Sequence, residues 1–66
     1  MNIFLNKNYR TVFYLKNGRT INDDFDNLEI CMDISRVNFD RETTDYYKII
    51  KRDYGCIYDS RDYEET

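Results

Sequence analysis

Carboxylates and thiols are the side chains of this 66-residue chain that could do chemistry, and no histidine accompanies its thirteen acids. Paired carboxylates act as general acid and base only in a sheltered pocket that shifts their pKa values, and so short a chain encloses such a pocket with difficulty. A nucleophile at Cys31 or Cys56 would lack its usual histidine activator. Both glycines, Gly18 and Gly55, are explained by turns, which leaves no phosphate loop. We predict a protein without enzymatic activity and without a cofactor.

Metal binding is also not predicted. Cys31 and Cys56 stand 25 positions apart in the chain and form no CxxC pair, so zinc is not expected and both thiols should be reduced. The acids from Asp23 to Asp26 resemble the start of a calcium loop. Counted from Asp24, however, Glu29 stands where such a loop needs glycine, and Ser35 stands where it needs its last carboxylate.

Charge is uneven along the chain. Residues 1–22 carry four bases and no acid, residues 23–45 carry eight acids against two bases, and residues 46–66 carry five acids against four bases, so +4 − 6 − 1 gives the net −3. The basic third, with Lys7, Arg10, Lys16 and Arg19, suggests nucleic-acid binding, but the net acidic charge argues against it. The spaced acids of the middle third suggest instead an acid-studded helix that imitates a phosphate backbone.

Two hairpins flank this acidic segment. Tyr9 to Lys16 is rich in β-branched and aromatic residues, and Asn17-Gly18 predicts a two-residue turn that places Tyr14 opposite Ile21. The second hairpin should run from Tyr46 to Arg52, turn at Asp53-Tyr54-Gly55 and return through residues 56–59. An alternative reading makes residues 41–54 a helix that ends at Gly55.

Between the hairpins, residues 23–37 favour a helix capped by Asp23 or Asp24, with an inward stripe of Phe25, Leu28, Cys31 and Met32. A strand reading of the same segment aligns Leu28, Ile30, Met32 and Ile34 at period two. The preferred order is ββαββ: a single α+β domain over residues 1–66 with a four-stranded antiparallel sheet and one covering helix. An all-β meander is the alternative, and residues 60–66 should form a frayed acidic tail.

One helix covers only one face of a sheet. In the second hairpin one face should carry Tyr47, Ile49 and Ile57, and the other should carry Tyr46, Ile50, Cys56 and Tyr58. Whichever face the helix leaves uncovered therefore retains apolar area, which a partner or a second copy of the chain would cover. Tyrosines can anchor an interface, and aspartates can contact a basic partner. The predicted contact residues are Tyr14, Asp24, Asp26, Asp33, Tyr46 and Tyr58.

The residue usage suggests an origin. Ala, Gln, His, Pro and Trp are absent while Asn, Asp, Ile, Tyr and Lys are common, as AT-rich codons would produce. A short, acidic, Tyr-rich chain of this kind resembles small phage accessory proteins, such as anti-CRISPR and other anti-defence inhibitors. The resemblance is one of composition, and it implies a host partner such as a nucleic-acid-processing enzyme. The longest hydrophobic run, Val12 to Leu15, is far too short to cross a bilayer, so we expect a cytoplasmic protein.

Overall fold

The computed structural model describes residues 7–63 as a sheet with one helix on it. The strands are β1 (Tyr9–Leu15), β2 (Thr20–Phe25), β3 (Thr44–Lys51) and β4 (Gly55–Asp59); the helix is α1 (Leu28–Asn38). All neighbouring strands are antiparallel, in the order β2-β1-β3-β4, and α1 contacts β1, β2 and β3. The predicted α+β architecture in ββαββ order is confirmed. The all-β meander and the helix over residues 41–54 are wrong.

The first hairpin turns through three residues rather than two. The Leu15 N–H donates to the Arg19 carbonyl at 2.8 Å, and the Gly18 N–H donates to the Leu15 carbonyl at 3.0 Å. Gly18 has a φ of 90°, the left-handed conformation that this loop type requires. The longer loop shifts the pairing by one residue, so Ile21 faces Phe13 and not Tyr14 as predicted. Ile21 therefore lies on the face that α1 covers.

The helix is present where we predicted one, but it begins later. Asp23 and Asp24, the predicted caps, pair with β1 as part of β2. The cap is Asn27, whose side-chain oxygen accepts hydrogen bonds from the N–H groups of Glu29 and Ile30 at 2.8 and 3.2 Å. Cross-strand pairing with β1 therefore prevails over the capping tendency of the two aspartates.

The second hairpin contains a bulge that the regular alternation did not predict. Its loop is residues 52–54, one residue earlier than expected, with Asp53 in the left-handed region at φ 64°. The pairing shifts between Ile49 and Ile50, which places Tyr58 opposite Ile49. Tyr58 therefore lies on the covered face, and the prediction that it shares a face with Tyr46 is wrong.

The core lies between α1 and the sheet and is centred on Tyr47. The Tyr47 ring lies 5.5 Å from the Phe13 ring, 5.3 Å from that of Phe39 and 5.6 Å from that of Tyr58, measured between centroids. Ile49 is fully buried next to this group. Burial, followed by the hydrogen bond with Tyr58, raises the pKa of Tyr47, so its hydroxyl stays neutral.

Three small side chains join α1 to β1, and we call them the buried polar triad: Thr11, Cys31 and Ser35. All three are at most 1% exposed. The Thr11 hydroxyl lies 2.6 Å from the Ser35 hydroxyl and 3.1 Å from the Cys31 sulfur. Burial raises the pKa of the Cys31 thiol, which therefore stays protonated, while Cys56 is a free thiol at the surface. These bonds determine which side of α1 faces the sheet.

A short helix follows β4 directly. Ser60–Tyr63 forms a short 3-10 helix. The buried Ser60 hydroxyl accepts a hydrogen bond from the Tyr47 N–H at 3.0 Å, which ties this turn to β3. The rest of the acidic tail that we predicted, residues 64–66, lies outside the described residues.

The triad predicts a large effect of a nearly isosteric substitution. Thr11→Val removes the hydroxyl shared by Ser35 and Cys31, and the free energy of unfolding should fall by about 1–3 kcal/mol, the usual effect of leaving buried polar groups unpaired. Urea denaturation measures it. Thr20→Val, at an exposed position of β2, is the matched control and should leave stability unchanged. Equal stability of Thr11→Val and the native protein would contradict the role assigned to the triad.

Candidate protein-binding surface

The outward side of α1 carries aliphatic side chains, which we call the outer stripe: Ile30, Ile34 and Val37. Their i, i+4, i+7 spacing places them on one side of the helix, turned away from the buried Cys31 and Ser35. They are 52%, 39% and 79% exposed, respectively. The helix thus buries a cysteine and a serine while it presents isoleucine and valine to solvent.

Folding leaves part of the apolar area of the outer stripe in contact with water. Full burial of an exposed Val or Ile side chain contributes roughly 1.5–3 kcal/mol, and the free energy that corresponds to the area still exposed is not realised in the isolated chain. Met32, also on α1, and Ile21, at the edge strand on the same face of the sheet, are exposed as well. Clustered apolar area of this kind is typical of protein-binding surfaces.

Acidic groups surround the outer stripe. Glu29 and Asp33 are exposed on α1, and the only base of the helix, Arg36, lies 3.3 Å from Asp33 in an ion pair that is largely exposed. An exposed pair of this kind holds its partners weakly. The side chains of α1 itself sum to 1 − 2 = −1. Of the other acids between residues 23 and 45, Asp24 is paired with Arg10 on the opposite face of the sheet and Asp26 is paired with Lys7.

Tyr14 and Tyr46, two of the predicted contact residues, lie together on the open face of the sheet. Their rings stack with centroids 4.5 Å apart and an interplanar angle of 19°. The Arg61 guanidinium lies 3.9 Å from the centroid of Tyr46, and the Lys48 ammonium 5.8 Å from that of Tyr14. These cations occupy positions over the two rings.

The open face is closed by its own side chains, contrary to the expectation of an uncovered apolar surface. Val12 points to this face, yet it is only 8% exposed. The exposed large hydrophobic residues of the described chain lie on α1, at Ile21 and in the β3–β4 turn at Tyr54. Stacked tyrosines, long basic side chains and ion pairs cover the apolar atoms of the open face.

The predicted acidic contacts do not gather around these tyrosines. Asp24 lies on the open face, but Arg10 binds both its oxygens, at 2.6 and 2.9 Å, and holds the pKa of its carboxyl below the usual range. Asp26 lies 3.4 Å from Lys7 between β2 and α1. Asp33 lies on α1, on the other side of the molecule from the stacked rings. The six predicted residues therefore do not form one surface, although Asp33 borders the outer stripe.

Both charge-based hypotheses lose part of their basis. Lys7 and Arg10, half of the basic group considered for nucleic-acid binding, are paired with Asp26 and Asp24. The predicted acid-studded helix has fewer acids than expected, because Asp23 and Asp24 belong to β2. Within α1 the acids are Glu29 and Asp33.

The outer stripe is not predicted from the sequence. Ile30 and Ile34 belong there only to the strand alternative, and Val37 has no predicted role. The signal was their helical spacing, which competes with the inward stripe through Leu28 and Cys31. The choice between the two stripes depends on Ser35, a residue that sequence patterns class as polar and exposed.

Other site types and relatives give no further guidance. Across residues 7–63, no group of three or more acids, cysteines or histidines is arranged to hold a metal ion. The described helices include none that is long and apolar enough to cross a membrane. Comparison of the chain with protein-family models, curated proteins and solved structures gives no match.

The ion pair between Arg61 and Asp59 on the open face predicts how the Asp59 carboxyl titrates. Arg61 donates to both oxygens of Asp59, at 3.1 and 2.7 Å, and lowers the pKa of that carboxyl to about 2. Because the folded-state pKa is depressed, the pair stabilises the fold fully above the ordinary Asp pKa and loses its effect as the pH falls through about 2.

Carboxyl NMR of Asp59 should therefore show a midpoint near 2, and Arg61→Gln should move it up toward the ordinary value. The melting temperature of this variant should be lower than that of the native protein at neutral pH. The difference should shrink at the acid end to the part that comes from the lost contact between Arg61 and the Tyr46 ring. Arg19→Gln, in the first turn, is the control and should leave the midpoint unchanged. An Asp59 midpoint unaffected by Arg61→Gln would contradict the assignment.

Proposed function

We propose that this protein is a non-enzymatic binding module that docks on a basic partner protein through the outer stripe of α1 and occludes part of its surface. The observation that carries this proposal is the orientation of α1, which exposes Ile30, Ile34 and Val37 while it buries Cys31 and Ser35. A helix that presents an aliphatic side at i, i+4 and i+7 suits a hydrophobic groove on a partner.

The charge of the surface supports the choice of a basic partner. Glu29 and Asp33 are exposed beside the outer stripe, and Arg36 is the one base of α1. Acids around an apolar stripe accelerate encounter with a basic surface and suppress acidic competitors. Proteins that bind nucleic acids carry such basic surfaces. Together with the compositional resemblance to anti-defence proteins, this favours a host nucleic-acid-processing protein as the partner and inhibition by occlusion as the activity.

Two other functions have weaker support. A homodimer through the outer stripe would place Glu29 and Asp33 of two copies around one contact, where like charges repel each other. Nucleic-acid binding through the basic hairpin would compete with the ion pairs of Lys7 and Arg10, and the flanking acids would repel a phosphate backbone.

The test is capture of a partner by matched variants. Tagged native protein is incubated with a lysate of a low-GC bacterium, the retained protein is identified and purified, and its affinity is measured directly. Combining Ile30→Ser with Val37→Ser should weaken binding by about tenfold or more, as expected when central apolar contacts are lost. Stability should stay within about 0.5 kcal/mol, because both positions are exposed and serine has a helix propensity similar to those of isoleucine and valine.

Tyr54→Ser is the matched control, since Tyr54 is 76% exposed but lies in the β3–β4 turn. It should bind the partner as the native protein does. Analytical ultracentrifugation should find a monomer for the native protein. Unchanged partner affinity in the double variant, or a native dimer that the double variant dissociates, would overturn the proposed docking surface.

A further inference from the structure

A cleft opens between the first hairpin and the C-terminal end of α1. Its volume is about 290 Å³, and the side chains of Phe13, Leu15 and Ile21 form its apolar wall. Asp23 from β2 and Asp40 from the α1–β3 connection also line it. The cleft thus combines an apolar wall with two carboxylates. Its volume lies just below that of common small-molecule sites and suits a single side chain.

The two carboxylates of the cleft can bind a ligand cation, whereas their neighbour Asp24 is already bound by Arg10. Among the described residues Asp23 forms no ion pair, whereas Asp24 is held by Arg10. The Asp40 carboxylate accepts one hydrogen bond, from the Glu42 N–H at 2.9 Å, which leaves its other acceptor positions open. A ligand cation would therefore meet negative charge that the fold has not neutralised.

Thr44 provides a second, independent indication. It lines the same cleft and is only 5% exposed. Its hydroxyl has one side-chain contact in the described chain, with the Thr43 hydroxyl at 3.5 Å, which is longer than an ordinary O–H···O hydrogen bond. A threonine hydroxyl has one donor and two acceptor positions, so Thr44 adds hydrogen-bonding capacity to the lining of the cleft.

We infer that the cleft receives an arginine or lysine side chain of the partner protein. The aliphatic stem lies along Phe13, Leu15 and Ile21, and the cationic head meets Asp23 and Asp40. Long basic side chains have this division into an apolar stem and a charged end. Arginine suits the site best because its planar guanidinium can bond several acceptors at once.

The position of the cleft agrees with the docking surface, and this inference rests on the proposed function for the source of the side chain. Asn38, one turn after Ile34 on α1, lines the cleft. Ile21, exposed at the edge of the sheet, lines it as well. A partner seated on the outer stripe is therefore next to the mouth of the cleft and can insert a basic side chain.

The experiment uses isolated side-chain analogues and so does not need the partner. N-acetyl-arginine amide, N-acetyl-lysine amide and the uncharged N-acetyl-citrulline amide are titrated into ¹⁵N-labelled native protein at low salt. The arginine amide should shift the backbone signals of Ile21, Thr43 and Thr44 in a saturable way. The lysine amide should shift the same signals more weakly. The citrulline amide should bind about tenfold more weakly than the arginine amide, because it has the same shape and no charge.

Substitutions that keep side-chain shape test the two carboxylates. Asp23→Asn and Asp40→Asn should each weaken arginine-amide binding roughly two- to fivefold, as expected for one partly exposed charge. Asparagine at position 40 keeps the oxygen that accepts from the Glu42 N–H, so the connection should stay folded. Glu42→Gln and Asp45→Asn make the same charge change outside the cleft and should have little effect.

Three results would each overturn the inference. They are citrulline-amide binding as tight as that of the arginine amide, arginine-amide binding by the two Asn variants as tight as by the native protein, and shifted signals that lie outside the cleft. Its failure is distinguishable from failure of the proposed function. If the Ile30 and Val37 double variant loses the partner but the native protein does not bind the arginine amide, the docking surface stands and the cleft inference fails. If the native protein binds the arginine amide at the cleft but the double variant keeps full affinity for the partner, the cleft inference stands and the docking surface fails.

Discussion

The Thr11 hydroxyl, bonded to Ser35 and next to the Cys31 sulfur, determines how α1 is rotated on the sheet. Two sides of α1 could face the sheet, so some interaction must favour one orientation over the other. Turning the aliphatic side inward would bring Ile30, Ile34 and Val37 toward the sheet, but it would leave the Thr11 hydroxyl in an apolar contact without its partners, at a cost comparable to a lost hydrogen bond. With the small polar side inward, the apolar side is left for a partner.

On the open face of the sheet, side chains of the strands and of the following turn cover the apolar atoms, and α1 does not. The Arg10–Asp24 and Arg61–Asp59 pairs and the stacked Tyr14 and Tyr46 rings cover the apolar atoms beneath them. Such side chains remain compatible with water while they shield a residue such as Val12. The two faces of this small sheet therefore have different roles: one is protected by polar side chains, and the other carries the helix that presents apolar area.

Local signals predicted the elements, while features that depend on three-dimensional pairing were missed. Asn17-Gly18 marks the first turn, but the loop includes Lys16, so the register moved by one and Ile21 changed faces. The bulge between Ile49 and Ile50 moved Tyr58 to the core in the same manner. Asp24 was predicted as a helix cap and partner contact because its cross-strand neighbour Arg10 was not evident from the chain order. Tyr14 and Tyr46 are cross-strand neighbours on the open face, next to an irregularity in the pairing between Tyr14 and Leu15.

The orientation of α1 can be measured directly on the free protein. With isoleucine and valine methyl groups labelled, a soluble paramagnetic gadolinium chelate broadens the NMR signals of methyl groups that are exposed to solvent. We expect strong broadening at Ile30, Ile34 and Val37 and little at the fully buried Ile49. Protection of the three outer-stripe methyl groups to the level of Ile49 would mean that α1 turns its aliphatic side to the sheet, which is the opposite of the orientation described here.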